Sequence, residues 1–321
     1  MKKMAAELKI YVVGIGGRGL NALTAIKRRG IPVKTIGIDT DSSALSVAKC
    51  DEKLLIGEDL TKGRSTAGVM EIGRKAMEAL AYKIVEKVAD GEVVVLISGL
   101  GGGAGSGGHT VLVESIKERF PEKLVISFVT IPFKTESGNR INNAKMALST
   151  IIDISDVTVV HFNDLLKEKY PSLPLVRAYR ILDNKIEESL RAILGLQNIK
   201  PIPGVVNVDF NSFKAIAMRS GLGLINVKEA ASVLSAFKEA LKEEFCDIDV
   251  TGCKGAVVYI EGSETALQTS DIYDISGTLT STYGIQVVYF GFKPSWELTQ
   301  PKVAFIATGV KSESVRKFLE E

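Results

Sequence analysis

"SGLGGGAGSGGHTV", Ser98 to Val111, is the densest run of glycine in the chain, and it follows "GEVVVLI", Gly91 to Ile97, which reads as a buried strand. Glycine is costly to order and contributes nothing to a core, so a run this dense needs a reason beyond packing. A glycine loop that opens a helix directs the free amides of the first turn at whatever lies beyond it, and the ligand that suits them is phosphate.

Outward from that run, strands alternate with helical patterns. "KIYVVGI" (9–15) reads as a strand, followed by a helix from about Leu20. "KTIGIDT" (34–40) is a second strand, and one helix is expected through "STAGVMEIGRKAMEALAYKIVEKV" (65–88). "VVVLISG" (93–99), a helix through "GHTVLVESIKERF" (108–120) and "KLVISFVTIPF" (123–133) complete the pattern. Nearly continuous Val and Ile strands separated by amphipathic helices predict an α/β fold, a parallel sheet with helices on both faces. Ligands of such sheets bind at the carboxyl ends of the strands, where the glycine runs fall.

After "VTVVHFNDLL" (157–166), the stretch "LVRAYRILDNKIEESLRAILGL" (175–196) carries apolar residues at helical spacing over a long span. "QNIKPIPG" (197–204) is the clearest break in the chain. Beyond it, helices are expected at "AIAMRSG" (215–221) and "EAASVLSAFKEALKEE" (229–244), then strands at "GAVVYIEG" (255–262), "IQVVYFGFK" (285–293) and "KVAFIATGV" (302–310). The expected organisation is a first domain over 1–175, a long central connecting helix and loop over 176–200, and a smaller C-terminal α+β domain over 201–321.

The 321 residues are long enough for such a pair of domains, and 45% hydrophobic with 24% charged residues is a soluble globular composition. Lys and Arg number 40 against 38 Asp and Glu, so the net charge of +2 offers no electrostatic case for nucleic acid or an acidic membrane surface. Cys50, Cys246 and Cys253 have neither the even count nor the spacing of a disulfide framework. With only His109 and His161 beside them no zinc site is expected, and no metal-ligating cluster is assigned. No apolar stretch approaches bilayer-spanning length and the start lacks a cleavage pattern, so the chain is read as cytoplasmic.

"GIGGRG", Gly14 to Gly19, matches G-x-G-x-x-G after a strand, with Asp39 about twenty residues on, as in a dinucleotide-binding fold. Alone it supports a dinucleotide-dependent oxidoreductase, or merely a tight strand-to-helix turn. The second loop is richer in glycine than dinucleotide binding requires and lacks the Lys-Ser or Lys-Thr that ends a P-loop. Two glycine loops at neighbouring strand ends point instead to a polyphosphate gripped by backbone amides from both sides.

"GGGAGSG" resembles the GGGTGTG signature of the tubulin and FtsZ superfamily, with Ala104 and Ser106 where threonines are usual. The likeness extends through "VGIGGRGLNAL", "IDTDSSAL", "GRSTAGVMEIGRKA", "IPFKTESGNRINNA", "HFNDLL", "PGVVNVDF" and "KVAFIATGV", in the order the family has them. The chain therefore resembles an FtsZ-like GTPase, and its departures from the usual motifs suggest a specialised, non-canonical paralogue of archaeal type.

The resemblance implies GTP or GDP with Mg2+, the metal held mainly by phosphate oxygens and water. Gly16, Gly17, Gly102, Gly103, Ala104, Gly105, Ser106 and Gly107 would line the phosphates, and Asn21 matches an asparagine near the base. Glu136 and Arg140 fall where ribose and phosphate contacts lie, although such a pair also reads as a surface i, i+4 ion pair. Tyr179 and Asp183 stand where the family has an aromatic residue and, one helical turn later, an asparagine; Asp for Asn is a departure, but the ring would stack on guanine while the carboxylate accepts from its N1-H and N2-H. The alternative is a core-packed Tyr179 beside a solvated Asp183. Asn163 is a further contact candidate. Asp39 and Asp41 would reach the metal through water, or cap the next helix.

Family members hydrolyse GTP where the loop before the second domain enters the next subunit's site. In "NVDFNSF", Asn207 and Asp209 match that loop, but Ser212 stands where a second carboxylate is usual. A hydroxyl cannot polarise water as a carboxylate does, so slow hydrolysis and long-lived head-to-tail homopolymers are expected. A non-polymerising GTP-binding regulator is the alternative. The C-terminal tail that binds membrane-tethering partners in bacterial relatives is not visible, so neither direct membrane binding nor that route of recruitment is expected.

Overall fold

The structure, a computed structural model, describes residues 8–197, 199 and 207–320. Residues 198 and 200–204 of the break read over 197–204 lie outside the described residues. The chain divides into two compact units, Met1–Ser127 with Ser137–Ala147, and Phe128–Glu136 with Leu148–Glu321.

The first unit runs β1 (Ile10–Ile15), α1 (Gly16–Arg28), β2 (Lys34–Asp39), α2 (Ser42–Val47), β3 (Glu52–Leu55), α3 (Glu58–Thr61), α4 (Met70–Glu78), α5 (Ala81–Lys87), β4 (Val93–Gly99) and α6 (His109–Arg119). β5 (Leu124–Ile131) begins in it, and α7 (Gly138–Ile154) gives it its first half. β1 pairs in parallel with β2 on one side and β4 on the other, and β3 extends the sheet beyond β2. Val12, Val13 and all of Val93–Leu96 are fully buried, as strands covered on both faces must be. The register sets Ile15 opposite both Ile38 and Ser98, so the chain leaves β1, β2 and β4 at one edge.

The second unit continues with β6 (Val157–Phe162), α8 (Asn163–Lys169), α9 (Leu175–Gly195), α10 (Phe210–Ala217), β7 (Gly221–Glu229), α11 (Val233–Ala240), β8 (Ile248–Asp249), β9 (Gly255–Gly262), α12 (Thr269–Gly277), β10 (Val288–Pro294), β11 (Lys302–Thr308), β12 (Lys311–Ser312) and α13 (Glu313–Glu320). Its sheet order is β6-β7-β11-β9-β10, with β11 antiparallel to both neighbours and the other pairs parallel. Phe237 of α11 and Phe305 of β11 meet edge to face at 5.8 Å in its core. Each buried ring contributes about 2–3 kcal/mol. Along α9, Leu182, Ile186, Leu190 and Ile193 are buried at the helical period that marked the segment in the sequence.

Several elements differ from expectation. The helix read over 65–88 is two, α4 and α5, because a turn at Ala79–Leu80 lets Ala76 and Met77 face the core together with Ala81, Ile84 and Val85. Its first residues are loop, with Ala67 and Gly68 left-handed at φ 50° and 82°. α1 starts at Gly16 rather than near Leu20, so the last four residues of the fingerprint, Gly16–Gly19, open the helix while Gly14 and Ile15 end β1. The helix expected over 215–221 lies instead over Phe210–Ala217, and from Gly221 the chain runs as β7, which was not read: "GLGLINVKE" is buried only over its middle and has no long apolar run.

Candidate functional site

Beyond β4 the backbone turns through Leu100–Gly102, winds into one π-helical turn over Ala104–Gly108, and enters α6 at His109. π-turns of this kind recur at functional sites. The loop beyond β1 reaches it directly: a β-carbon built on Gly16, whose φ is +70°, would lie 3.2 Å from the Gly105 amide nitrogen. Main chain thus faces main chain where the two glycine loops meet, both at the carboxyl edge of the parallel strands.

Most glycines in the run are required by the protein itself, which corrects the expectation that packing could not account for so many. A β-carbon on Gly103 would overlap Thr66 Oγ1 and the Val69 carbonyl, one on Gly105 would overlap the Gly99 carbonyl, and one on Gly107 would sit 2.7 Å from the Arg74 nitrogen. From the other side, Gly73 of α4 rests on the Gly103 carbonyl so closely that no side chain fits. Gly17 and Gly102 are different: a β-carbon on either meets nothing within 4 Å. At those two positions the backbone borders open space, which suits the close approach of an anion. Ala104 and Ser106 are buried, and the Ser106 hydroxyl oxygen accepts the Gly101 N–H at 2.8 Å.

Two residues tie this loop to its surroundings without having been expected to. Asn143 of α7 donates its amide hydrogens to the Gly101 carbonyl at 3.1 Å and the Gly68 carbonyl at 2.8 Å. His109, fully buried, sits between the Ser98 hydroxyl at 2.7 Å and the Ser127 hydroxyl at 2.9 Å. Burial holds its pKa down at about 3, so the imidazole is neutral. A lone histidine and one asparagine in "INNAK" carry no spacing signal that would have revealed either role.

Of the other expected contacts in the first unit, Asn21 and Arg140 are exposed on the first turns or so of α1 and α7. Asp41 caps α2, accepting from the Ser43 and Ala44 amides, while burial pushes the Asp39 carboxyl up. In the second unit Glu136 Oε1 accepts the Phe133 N–H at 3.0 Å. Asn163 opens α8 buried, its Oδ1 without a hydrogen-bond partner, an acceptor whose burial has a cost unless a ligand meets it. Tyr179 packs against a cluster of Leu166, Ala178, Leu182 and Phe245, and Asp183, one turn on, is 7% exposed rather than solvated.

Asn207 and Val208 run beside β10, with the Val208 amide bonded to the Phe290 carbonyl. Asp209 then caps α10, its Oδ1 accepting from the Ser212 amide at 2.7 Å and the Ser212 hydroxyl at 2.6 Å. The hydroxyl and amide of Ser212 hold the Asp209 carboxyl below its ordinary range.

Two glycine loops meeting backbone to backbone at the end of a parallel sheet describe a phosphate-binding fold but not which one. The sequence model of the Tubulin/FtsZ family, GTPase domain, matches residues 9–171. The chain belongs to the Tubulin/FtsZ family. This replaces the dinucleotide reading of "GIGGRG" with that of GTP-binding cytoskeletal proteins. Among its Tubulin/FtsZ relatives, Cell division protein FtsZ 1 of Pyrococcus abyssi is 33% identical over 100% of this chain and 86% of its own length. Cell division protein FtsZ 1 of Methanocaldococcus jannaschii is 35% identical over 86% of this chain and 75% of its own. Among solved structures, the empty FtsZ dimer of M. jannaschii aligns with TM-score 0.79 and 32% identity, covering 95% of this chain and 89% of that one. The GTPgS-bound protofilament of CetZ2 from Haloferax volcanii aligns with TM-score 0.85 over 98% and 97%, at 20% identity, a likeness of fold.

Proposed function

We propose that this FtsZ-like chain binds GTP and GDP with Mg2+, assembles head to tail with copies of itself, and hydrolyses GTP slowly at the joints. The observation that carries the reading is the pair of glycine loops in contact at Gly16 and Gly105, with Gly17 and Gly102 bordering open space, in a chain of the Tubulin/FtsZ family. Backbone amides there neutralise a polyphosphate without lysine, as helix N-termini do. Asn163, Tyr179 and Asp183 are the residues proposed to recognise guanine, with Asn21, Glu136 and Arg140 as further contacts. An acidic acceptor at position 183 suits the paired donors of guanine and repels the acceptor N1 of adenine. Among the described residues no group of three or more His, Cys, Asp or Glu is placed to hold a metal, so magnesium would depend on phosphate oxygens and water.

Hydrolysis requires a water oriented toward the terminal phosphorus. Asn207 and Asp209 are the groups proposed to do this for the nucleotide of the neighbouring copy, and Ser212, a neutral hydroxyl bonded to Asp209, adds no second carboxylate. Slow turnover and persistent filaments follow. Solved relatives described as a dimer and a protofilament support self-association of the same kind. No described helix is long and apolar enough to cross a membrane, and the near-neutral net charge of +2 favours neither nucleic acid nor an anionic membrane as a partner. A cytoplasmic filament is the corresponding location.

Sedimentation and phosphate release measured together with GTP and magnesium test the reading. Pelleting with GTP and slow release is the expected result, and absence of guanine-nucleotide binding would overturn it. The engaged state of Ser212 also favours a second reading, a GTP-binding regulator that does not polymerise, which binding without pelleting would select.

A further inference from the structure

We propose that Asn143 is a positioning residue that fixes the orientation of the Gly101–Gly102 peptide, and thereby aims the Gly102 N–H at the bound anion. The inference rests on the nucleotide-binding reading for its purpose but on geometry alone for its mechanism.

Gly101 is held at both ends. Its N–H donates to Ser106 Oγ at 2.8 Å, and its carbonyl accepts from Asn143 Nδ2 at 3.1 Å. With φ at +99° it lies where only glycine is at ease, and glycine neighbours on the C-terminal side leave the peptide that follows with little steric preference for either face. The Gly101 carbonyl and the Gly102 N–H belong to one planar trans peptide and point in opposite directions. Holding the carbonyl on Asn143 therefore sets the amide hydrogen on the side away from Asn143. An added β-carbon at Gly102 also meets no atom within 4 Å. A peptide free to turn over would offer its carbonyl oxygen to a phosphate as readily as its N–H, and anion binding would lose both an attraction and the fixed dipole.

The same side chain reaches a second loop. Asn143 Nδ2 also donates to the Gly68 carbonyl at 2.8 Å, next to Ala67, which is left-handed at φ 50°. Because both partners are carbonyl oxygens, only the NH2 end of the carboxamide satisfies them, which settles its orientation. Thr66 and Val69 of that loop close on Gly103, where a β-carbon would overlap them. One carboxamide thus fastens residues 66–69 and the glycine run to α7.

The role depends on donors, so shape and polarity separate cleanly. Asn143→Asp preserves the shape but sets an acceptor against two acceptors, and it draws the Gly102 N–H toward itself. Asn143→Leu removes the bonds without that reversal. Equilibrium binding of GTP to the full chain with magnesium is expected to weaken about tenfold in Asn143→Leu and about a hundredfold in Asn143→Asp, the range lost with one or two charge-assisted hydrogen bonds. A space-filling role would leave Asn143→Leu, which fills the space with neither donor nor charge, at wild-type affinity, and that result would overturn the proposal. In nucleotide-free protein, trypsin cleavage after the exposed Lys62 and Arg64 reads the loop directly, and both variants should be cut faster with thermal unfolding changed little. Cleavage at the wild-type rate in both would sink the clamp. If the wild type bound no GTP while the variants were still cut faster, the clamp would stand and the nucleotide reading would fall.

Discussion

The Ser212 hydroxyl donates to Asp209 Oδ1 over 2.6 Å, and the Ser212 amide donates to the same oxygen over 2.7 Å. One carboxylate oxygen therefore caps α10, and the residue at the expected second carboxylate position is a donor serving the first. Ser212→Asp would keep the capping amide, lose the hydroxyl bond and add a negative charge at a helix N-terminus, where charge of that sign is favoured. Phosphate release per assembled subunit should rise at least several-fold, with thermal stability within about 1 kcal/mol of wild type. An unchanged rate in pelleting protein would show that position 212 takes no part in hydrolysis.

Neighbouring glycines should answer differently to the same substitution. Gly103→Ala drives a β-carbon into Thr66 and Val69, whereas Gly102→Ala projects one into open space at a φ that requires no left-handed strain. Urea unfolding should show a loss of about 1–3 kcal/mol for Gly103→Ala and almost none for Gly102→Ala. GTP affinity should fall in Gly102→Ala despite its intact stability. Equal stability losses would mean that the packing account of the run is wrong.

Acid should act first through His109. Its folded pKa is held down at about 3 by burial, below the ordinary value of 6.5, so the unfolded chain binds the proton that the folded chain refuses. Stability from this group is complete above pH 6.5 and declines as pH falls toward 3. Between pH 7 and pH 5 the loss should be about 2 kcal/mol. His109→Gln should lie lower at pH 7 and show a much flatter decline over that interval.

A second acid step belongs to Glu244. Burial pushes its carboxyl up, but Lys169 at 2.8 Å and Lys228 at 2.6 Å outweigh that and hold it at about 2, below the ordinary 4.5. Its contribution is present above pH 4.5 and is lost as pH falls through that range toward 2. Since Lys169 is 43% exposed, solvent screens part of the attraction. Glu244→Gln should remove this portion of the acid transition in denaturation curves, and a Lys228→Met variant should unfold at higher pH than wild type.

Local chemistry was legible without coordinates. The continuous, mostly β-branched apolar run Val93–Ile97 reads as a strand buried on both faces, and the spacing of Leu182, Ile186 and Leu190 as a long helix with one buried side. Several glycine motifs in family order identified the Tubulin/FtsZ chain before its sheet was known. Short or polar elements such as β3 and β7 escaped, because they carry no continuous apolar run and owe their place to pairing with strands elsewhere in the chain.

What tertiary structure alone decided is why each residue of the glycine run is glycine. Composition announces a backbone that must come close to something, but the partner is set by which segments fold against it. Thr66, Val69, Met70 and Gly73 crowd Gly103 and Gly107, whereas Gly102 of that run and Gly17 of the first loop border open space. The hold of Asn143 on Gly101 belongs to the same class: a hydrogen bond spanning forty-two positions has no local periodicity to betray it. Spacing encodes the faces of helices and strands, whereas contacts across the chain are encoded only by the fold that brings them together.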